Sequence, residues 1–428
     1  MSSLKLSPIR ALSGEIRLPG SKSISNRSLL LAALARGDTR VSNLLHSDDT
    51  RYMLAALRQV GIQIDELGVH EYLVHGAGGP LVTDNVTHSL FLGLAGTAIR
   101  PLAAALTLGQ GQFTLDGTER MRERPIAHLV DGLRQLGATI NYLGEEGFPP
   151  IQVIGSGLPG GQASIPGNIS SQFLTSILLA APLAENPMDI VIQGEQVSKP
   201  YLDITLSMMH QFGASAEHHQ YESFHVQPGG YTSPGSVLVE GDASAASYFL
   251  AAGAIAGEGM RVHGIGQHST QGDVAFVDVL KAMGANVQVE AESVMVKPGQ
   301  LDAVDLDLNH IPDAAMTAAV LALFARGTTA IRNIYNWRVK ETDRLDAMSR
   351  ELKKLGAQVD EGSDYLVITP PEQIHSGVAI DTYGDHRMAM CFSLAALGGA
   401  DVTINDPECV AKTFPDFFEE WARLSLAT

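Results

Sequence analysis

The chain has 428 residues, of which 45% are hydrophobic and 18% are charged, as expected of a soluble globular protein with two or three domains. Its formal net charge of -18 disfavours binding to nucleic acid or to an anionic membrane. Cys391 and Cys409 are the only cysteines, and they lack metal-ligand spacing. Because the sequence has neither an apolar leader nor a run of about 20 apolar residues, we expect a cytoplasmic protein without a metal ion, a cofactor or a membrane span.

The first predicted helix begins at a cluster of polar and charged residues, Leu18-Pro19-Gly20-Ser21-Lys22-Ser23-Ile24-Ser25-Asn26-Arg27. The Pro-Gly pair ends the preceding strand-like run, the serines are suitable N-cap residues, and the Leu/Ala-rich residues 28–35 favour a helix. A helix start presents unpaired N–H groups, to which Lys22 and Arg27 add two positive charges. The pattern predicts an anion site, although an ordinary capped surface helix would show the same residues.

A short phrase recurs along the chain, in which an amphipathic helix ends with Leu-x-x-h-Gly-Ala-x-h, where h is a hydrophobic residue. Its glycines are Gly61, Gly137, Gly213, Gly284 and Gly356, which lie 71 to 76 residues apart. Each glycine is placed like the residue that follows a helix C-cap, and a strand-like run comes after it. The regular spacing indicates an internal repeat.

A second, Ala- and Leu-rich helix opens each repeat. The six predicted helices span 23–35, 96–108, 170–183, 243–256, 313–325 and 386–397. Helices that are apolar on every face are usually buried, so we expect them inside domains walled by sheets. The sixth repeat lacks the glycine but keeps a helix at 417–424. The shorter interval after the third repeat, with the charged joint at 239–242, predicts an α/β protein of two domains with three repeats each.

In the first half of the chain, polar segments lie at several helix starts. They are Gly96-Thr97, Arg120-Met121-Arg122-Glu123-Arg124, Ser170-Ser171-Gln172 and Ser198-Lys199-Pro200-Tyr201. A glycine lets a ligand approach the backbone, and clustered arginines in an acidic protein suggest recognition of carboxylate or phosphate. Plainer interpretations are close helix packing for the glycine, a solvated charge run for the arginines, and routine caps for the serines.

The second half of the chain combines acids with cations. Asp313 precedes an apolar helix, which also fits a plain N-cap. Helical spacing would put Lys340 and Arg344 on one face with Glu341 beside them, although surface ion pairing gives the same pattern. Cations recur in Asp385-His386-Arg387, where a lone His is more often structural, and at Lys412. Together these residues suggest an enzyme that holds highly anionic small molecules by direct charge and transfers protons.

Five motifs, when found together, are highly specific. They are residues 18–27, Ala95-Gly96-Thr97-Ala98-Ile99-Arg100-Pro101, Arg122-Glu123-Arg124-Pro125-Ile126, Lys340-Glu341-Thr342-Asp343-Arg344 and Tyr383-Gly384-Asp385-His386-Arg387-Met388-Ala389-Met390. In these motifs, and over essentially its whole length, the sequence resembles the EPSP synthase family. The resemblance implies an α/β (α+β) fold of two domains that close over the substrates. Each domain has three βαβαββ units with buried helices, an inside-out barrel.

The resemblance also implies the domain boundaries and the reaction. Residues 1–20 and 242–428 would form a C-terminal-type domain with the enolpyruvyl and catalytic residues, and 21–241 an N-terminal-type domain with the shikimate phosphate site. The enzyme would transfer the enolpyruvyl group of phosphoenolpyruvate to the 5-hydroxyl of shikimate 3-phosphate through a tetrahedral intermediate, in chorismate and aromatic amino acid biosynthesis. We expect a monomer that is inhibited by glyphosate.

The site residues follow from the same motifs. Asp313 would take the hydroxyl proton, while Lys22 and Glu341 would serve the proton transfers at the enolpyruvyl group. The implied residues for shikimate 3-phosphate are Lys22, Ser23, Arg27, Ser170, Ser171, Gln172, Ser198, Tyr201, Asp313, Asn336 and Lys340. The implied residues for phosphoenolpyruvate are Lys22, Gly96, Arg124, Gln172, Glu341, Arg344, His386, Arg387 and Lys412.

One residue departs from the family pattern, and two other functions compete. The family commonly has Asn where this chain has Leu94, which removes a polar contact near the phosphoenolpyruvate subsite. UDP-N-acetylglucosamine enolpyruvyl transferases share the fold but rely on a cysteine in their N-terminal half, whereas the cysteines here are Cys391 and Cys409. A non-enzymatic phosphate-ester binding protein would have no need of Asp313 and Glu341 beside the bound anions.

Overall fold

The computed structural model of the chain describes residues 2–81 and 87–427. The chain divides into two compact units, one formed by Gly20–Val239 and the other by Met1–Pro19 with Glu240–Thr428. Each unit has its own core of buried hydrophobic residues. These units differ from the expected domains by one residue at the first boundary and two at the second. That each behaves as an independent domain stays a prediction.

Twelve α-helices and 25 strands are found in the described residues. The helices are α1 (Lys22–Leu34), α2 (Asp48–Gln59), α3 (Gly96–Ala105), α4 (Ala127–Gln135), α5 (Ser171–Ala180), α6 (Pro200–Gln211), α7 (Ala243–Ile255), α8 (Phe276–Ala282), α9 (Ala315–Leu321), α10 (Arg344–Lys354), α11 (His386–Phe392) and α12 (Phe417–Leu424). The strands are β1 (Ser3–Leu6), β2 (Ile9–Leu12), β3 (Gly14–Arg17), β4 (Arg36–Ser42), β5 (Ile64–Gly68), β6 (Glu71–Ala77), β7 (Thr87–Phe91), β8 (Gln110–Asp116), β9 (Thr139–Tyr142), β10 (Ile151–Ser156), β11 (Gly161–Pro166), β12 (Met188–Gln193), β13 (Ala216–His219), β14 (Ser223–Val226), β15 (Ser236–Leu238), β16 (Met260–His263), β17 (Asn286–Val289), β18 (Ser293–Lys297), β19 (Asp305–Asp307), β20 (Thr329–Arg332), β21 (Gln358–Glu361), β22 (Leu366–Thr369), β23 (Val378–Ile380), β24 (Val402–Asn405) and β25 (Ser425–Ala427).

Six sheets repeat one pairing pattern. Gly20–Val239 contains the sheets β15-β4-β6-β5, β7-β8-β10-β9 and β11-β12-β14-β13. The other unit contains β3-β16-β18-β17, β19-β20-β22-β21 and the shorter β23-β24-β1, together with the ribbon β2-β25. In each of the six, the first two strands named are parallel and every later pair is antiparallel. This pattern confirms the predicted fold of six related units.

The Ala- and Leu-rich helices are buried, as predicted. In α1, every residue from Leu29 to Leu34 has no exposed surface, and α7 is buried from Ala243 to Ala254. In four of the repeats such a helix makes the crossover between parallel strands, as α3 does from β7 to β8. Parallel strands need such a crossover, whereas antiparallel strands are joined by short turns. The side chains of these helices therefore form the centre of each core.

The repeated glycine phrase is a helix-terminating motif. Gly61 has a φ of 92°, its N–H donates to the carbonyl of Arg58, and the N–H of Ile62 donates to the carbonyl of Leu57. The same two bonds recur at the four other glycines, whose φ values lie between 80° and 101°. This is the Schellman arrangement, in which a residue with positive φ ends the helix and flanking hydrophobic residues pack together. Its geometry explains why Leu, Gly and a hydrophobic residue recur at fixed spacing.

We predict that Gly61→Ala lowers the free energy of unfolding by about 1 kcal/mol, because an L-residue is strained at positive φ. A methyl group at Gly61 would meet no atom within 4 Å, so the loss would come from the backbone alone. Denaturant unfolding followed by circular dichroism measures it. Gly229→Ala is the matched control, since Gly229 has equal space but no positive φ. Equal stability of both variants would contradict this explanation of the repeat.

Candidate active site

The predicted site residues fall into two groups, one in each unit, and the first group starts at α1. Lys22 is the first residue of α1, and Ser21 occupies the N-cap position without a side-chain cap bond. The Lys22 Nζ lies 3.8 Å from a carboxylate oxygen of Asp49, and both side chains are almost wholly buried. Asn26 donates to the hydroxyl of Thr97 at 2.8 Å and thereby ties α1 to the start of α3. The predicted helix start is confirmed, and its lysine faces a buried acid.

Arg27 is a buried cation held by uncharged oxygens. Its guanidinium donates to the Thr205 hydroxyl and the Ser23 carbonyl at 2.9 Å, and to the Tyr201 carbonyl at 3.3 Å. Burial lowers the pKa of Arg27 to about 10, with a smaller opposing effect from Tyr201. Because none of these partners carries a full negative charge, a bound anion would stabilise the guanidinium.

Gly96 lies against two polar side chains predicted for the site. A Cβ atom at Gly96 would lie 3.1 Å from both terminal nitrogens of Arg124 and 3.2 Å from the Gln172 side-chain oxygen. Arg124 is buried, and it donates to the Leu94 carbonyl at 3.2 Å. Arg100 donates to the Gln172 side-chain oxygen at 2.5 Å. The glycine therefore leaves room for the side chains of Arg124 and Gln172, and its assignment to the phosphoenolpyruvate site stays a prediction.

The neighbouring arginines of the predicted charge run behave differently from Arg124. Arg122 pairs with Asp116 at 2.6 Å and Arg120 with Glu123 at 2.7 Å, in largely solvent-exposed contacts. These two arginines fit the plainer interpretation of a solvated charge run.

The predicted phosphate-binding serines lie near the starts of α5 and α6. The Ser170 hydroxyl caps α5 by accepting from the Gln172 N–H at 3.2 Å, so the plain cap interpretation holds there. Ser171 and Ser198 are buried. Ser198 has a φ of 55°, which is unusual for a residue with a side chain. Such a conformation persists where the surrounding structure imposes it, and it often marks a functional position.

Asp313 is the centre of the second group. One carboxylate oxygen accepts from Arg344 Nη1 at 2.8 Å, and the other accepts from Arg387 Nη2 at 2.9 Å. The Nζ of Lys340 lies 3.8 Å away. Burial alone would raise the pKa of Asp313, but Arg387, Lys340 and Arg344 outweigh it and hold that pKa well below its usual value. The plain N-cap interpretation is wrong, because α9 begins at Ala315 and Ala314 occupies its N-cap position.

The predicted helix through Lys340 and Arg344 is also wrong. A 3₁₀ turn covers Tyr335–Val339, and α10 begins only at Arg344. The side chain of Asp343 caps α10 by accepting from the Asp346 N–H, which fixes the helix start at that point. Lys340 and Arg344 still meet at one place, because both reach the Asp313 carboxylate.

Glu341 is held in the same way as Asp313. It accepts from Arg344 Nη2 at 3.0 Å and pairs with Lys412 Nζ at 3.3 Å. The Nε of Arg344 donates to Asp385 at 2.7 Å, so one buried guanidinium serves three carboxylates. Both predicted proton-transfer acids of this unit therefore bridge two cations that we predicted to bind phosphoenolpyruvate.

Two further predicted residues are buried. His386 has no exposed surface, and its Nδ1 lies 3.4 Å from Asp385, which is the environment of a structural histidine. Asn336 is buried in the turn before Lys340. Their assignments to the two substrates stay predictions.

Sequence reasoning missed several residues that position the site. Trp337 donates its indole N–H to the Pro312 carbonyl at 2.7 Å and so fixes the backbone beside Asp313. Tyr248 accepts from Arg387 Nη1 at 3.1 Å. Tyr248 lies in an apolar helix and Trp337 lies between polar residues, and neither context indicates a polar partner for the aromatic side chain. Asp385 and Asp49 stand at helix starts, where an acid is normally taken as a partner of the helix dipole.

A second buried acid lies behind this cluster. Asp273 is buried, and it accepts a hydrogen bond from the Ser244 hydroxyl at the start of α7. Burial, and then the negative charge of Asp313, raise the pKa of Asp273 to about 7. The protonated form of Asp273 is therefore favoured over a wider pH range than that of an exposed aspartic acid.

The comparisons with known proteins agree with this fold. A protein-family model described as EPSP synthase (3-phosphoshikimate 1-carboxyvinyltransferase) matches residues 6–421. A 3-phosphoshikimate 1-carboxyvinyltransferase of Photobacterium damsela subsp. piscicida is 59% identical over 427 residues, 99% of this chain and 100% of that protein. One of Shewanella denitrificans is 58% identical over 428 residues, 99% of both chains. An EPSP synthase structure from Acinetobacter baumannii has a TM-score of 0.84 at 28% identity, covering 99% of this chain and 98% of that one.

The fold and these relatives define an enolpyruvyl transferase. The chain belongs to the EPSP synthase family, the 3-phosphoshikimate 1-carboxyvinyltransferases. The predicted resemblance, fold class and enzyme class are thereby confirmed, and the family favours this function over the two alternatives. In the described part of the chain, no three His, Cys, Asp or Glu side chains are grouped so as to hold a metal ion. None of its helices has the length and hydrophobicity to cross a bilayer.

We predict that Asp273→Asn gains stability relative to the parent as the pH rises from 5 to 7. Asp273 has a pKa of about 7 in the folded state, whereas in the unfolded chain its pKa is near 4. Because the unfolded chain releases the proton first, Asp273 lowers the free energy of unfolding of the parent more and more as the pH rises through this range. Thermal unfolding at pH 5, 6, 7 and 8 measures the difference in melting temperature. Asp278→Asn, at an exposed position of α8, is the control. A difference independent of pH would show that Asp273 is ionised throughout.

Proposed function

We propose that this chain transfers the enolpyruvyl group of phosphoenolpyruvate to the 5-hydroxyl of shikimate 3-phosphate. The products are 5-enolpyruvylshikimate 3-phosphate and phosphate. The reaction is an intermediate step of chorismate biosynthesis. The observation that carries the proposal is the Asp313 carboxylate between Arg344 and Arg387, because it puts an ionised base among cations for an anionic substrate. We further propose that the enzyme is a cytoplasmic monomer inhibited by glyphosate.

In the proposed reaction, the 5-hydroxyl oxygen of shikimate 3-phosphate bonds to C2 of phosphoenolpyruvate, and Asp313 accepts the hydroxyl proton. C3 gains a proton, which gives a tetrahedral intermediate. Loss of that proton from C3 and departure of phosphate from C2 then form the enol ether. Lys22 and Glu341 serve the proton transfers at C3. The ammonium of Lys22 can donate a proton, and the carboxylate of Glu341 can accept one.

The two anionic substrates need several cations. We propose that shikimate 3-phosphate binds Ser170, Ser171 and Ser198 through its phosphate, near the buried Arg27 and Tyr201. This is supported by the burial of Arg27 among uncharged oxygens. The phosphoenolpyruvate residues are proposed to be Gly96, Arg124, Gln172, Arg344, Arg387 and Lys412. Guanidinium groups bind carboxylate and phosphate by paired, charge-assisted hydrogen bonds.

The direct test is release of inorganic phosphate from phosphoenolpyruvate by the purified chain. We expect release only when shikimate 3-phosphate is added, and none with UDP-N-acetylglucosamine. Release with the nucleotide sugar alone would favour the related transferase. Binding of shikimate 3-phosphate without any release would favour a non-enzymatic binding protein.

Asp313→Ala should lower kcat by about 10²- to 10⁴-fold, with a much smaller change in KM, since a general base acts mainly in the transition state. Steady-state kinetics with both substrates measures the two effects. Asp307→Ala, an exposed acid in β19, controls for loss of one negative charge. A loss confined to KM would make Asp313 a binding residue only.

Gly96→Ala should weaken the binding of glyphosate more than the binding of phosphoenolpyruvate. The new methyl would press on Arg124 and Gln172 and reduce the space for the longer ligand. The glyphosate inhibition constant and the phosphoenolpyruvate KM, measured for parent and variant side by side, test this. Leu94 is expected to weaken glyphosate binding already in the parent, so the parent value is the baseline. Equal losses for both ligands would place Gly96 outside the subsite.

A further inference from the structure

The predicted binding cations of the second unit are already occupied by an internal carboxylate. Arg344 and Arg387 each donate to a different oxygen of Asp313, at 2.8 and 2.9 Å. Two donors that meet the two oxygens of one carboxylate frame an anion of that size and shape. The arrangement therefore fits the carboxylate of a ligand as well as it fits Asp313.

Access to these donors passes over Asp313. The Arg344 side chain is 1% exposed and that of Arg387 is 4% exposed, whereas Asp313 is 15% exposed. Asp385 and Glu341 bind other nitrogens of Arg344, and Tyr248 binds Nη1 of Arg387. A ligand carboxylate that binds Arg344 Nη1 and Arg387 Nη2 in this way would therefore occupy the position of the Asp313 carboxylate.

We propose that Asp313 is the internal counter-ion of the phosphoenolpyruvate carboxylate subsite. The substrate carboxylate takes over the Arg344 and Arg387 donors, and this exchange releases Asp313 to act as a base. The inference rests on the proposed function and adds an order to it: the base becomes available only once the second anion is bound. Before the exchange, two guanidinium groups hold the Asp313 carboxylate and make it a weak acceptor of protons.

The proposed exchange predicts an effect on ligand affinity that would not be expected if Asp313 only bound the substrate or only acted as a base. A ligand carboxylate competes with Asp313 for the same donors, so removing the Asp313 charge should tighten ligand binding. The probe is phospholactate, which carries the carboxylate and phosphate of phosphoenolpyruvate but has no double bond to react. Its dissociation constant is measured by calorimetry with shikimate 3-phosphate at saturation for each protein.

We expect Asp313→Asn to bind phospholactate about tenfold more tightly than the parent, since like charges facing one another at a binding site oppose association strongly. Asp307→Asn is the matched control, because it removes an exposed carboxylate of the same unit that lies in β19. Its affinity for phospholactate should stay within about twofold of the parent. Asp313→Ser gives a second neutral variant if thermal unfolding shows that Asn disturbs the fold.

Unchanged or weaker binding by both neutral Asp313 variants would overturn the proposal, and so would equal tightening by Asp307→Asn. If the parent binds no phospholactate and releases no phosphate from phosphoenolpyruvate, the proposed function fails, and the inference fails with it. If the parent turns over substrate but the neutral Asp313 variants bind phospholactate no more tightly than the parent, the inference fails and the proposed function stands.

Discussion

The second group of site residues depends on one ionic interaction, the bridge from Arg344 through Asp313 to Arg387. Burying three charged side chains is costly, and such a cluster is stable only when every charge is paired and hydrogen-bonded. The structure meets that condition with Asp385 and Glu341 on Arg344 and with Tyr248 on Arg387. Removing one member would leave a buried charge without compensation, so the side chains are held in place together.

Hydrogen bonds between side chains and the backbone set the geometry of this bridge. Trp337 anchors the turn before Lys340 to the backbone beside Asp313, and the Asp343 cap starts α10 at Arg344. The side chain of Asp385 caps α11 and binds Arg344 at the same time. Helix starts are thus fixed by caps, and the caps in turn place the cations.

The repeat explains why polar residues appear where they do. The buried helices are mainly apolar beyond their first turns, so their charged residues lie at or near their starts. Lys22, Gly96 and Ser170 stand at such starts in one unit, and Ser244 and Arg387 do so in the other. The N-terminus of a helix favours anions through its unpaired N–H groups and its dipole. Repetition of one buried-helix unit therefore supplies several such ends.

Much of this was predictable from the sequence, and the parts that were not have physical reasons. The repeat was visible because the Schellman turn requires glycine and flanking hydrophobic residues at fixed positions, as at Gly61. The region from Lys340 to Arg344 was predicted as a helix because its spacing suits one, but the cap at Asp343 overrides that spacing. Tyr248 and Trp337 could not be predicted, because a buried aromatic residue looks the same in sequence with or without a polar partner.

Replacement of Asp313 by a substrate carboxylate on Arg344 and Arg387 can be observed in a structure. A crystal structure with shikimate 3-phosphate and phospholactate bound would test it most directly. We expect Arg344 Nη1 and Arg387 Nη2 to bind the carboxylate of phospholactate, and Asp313 to lie beyond hydrogen-bond distance of both, about 3.5 Å or more. A complex in which Asp313 keeps both hydrogen bonds, while the ligand carboxylate binds elsewhere, would contradict it.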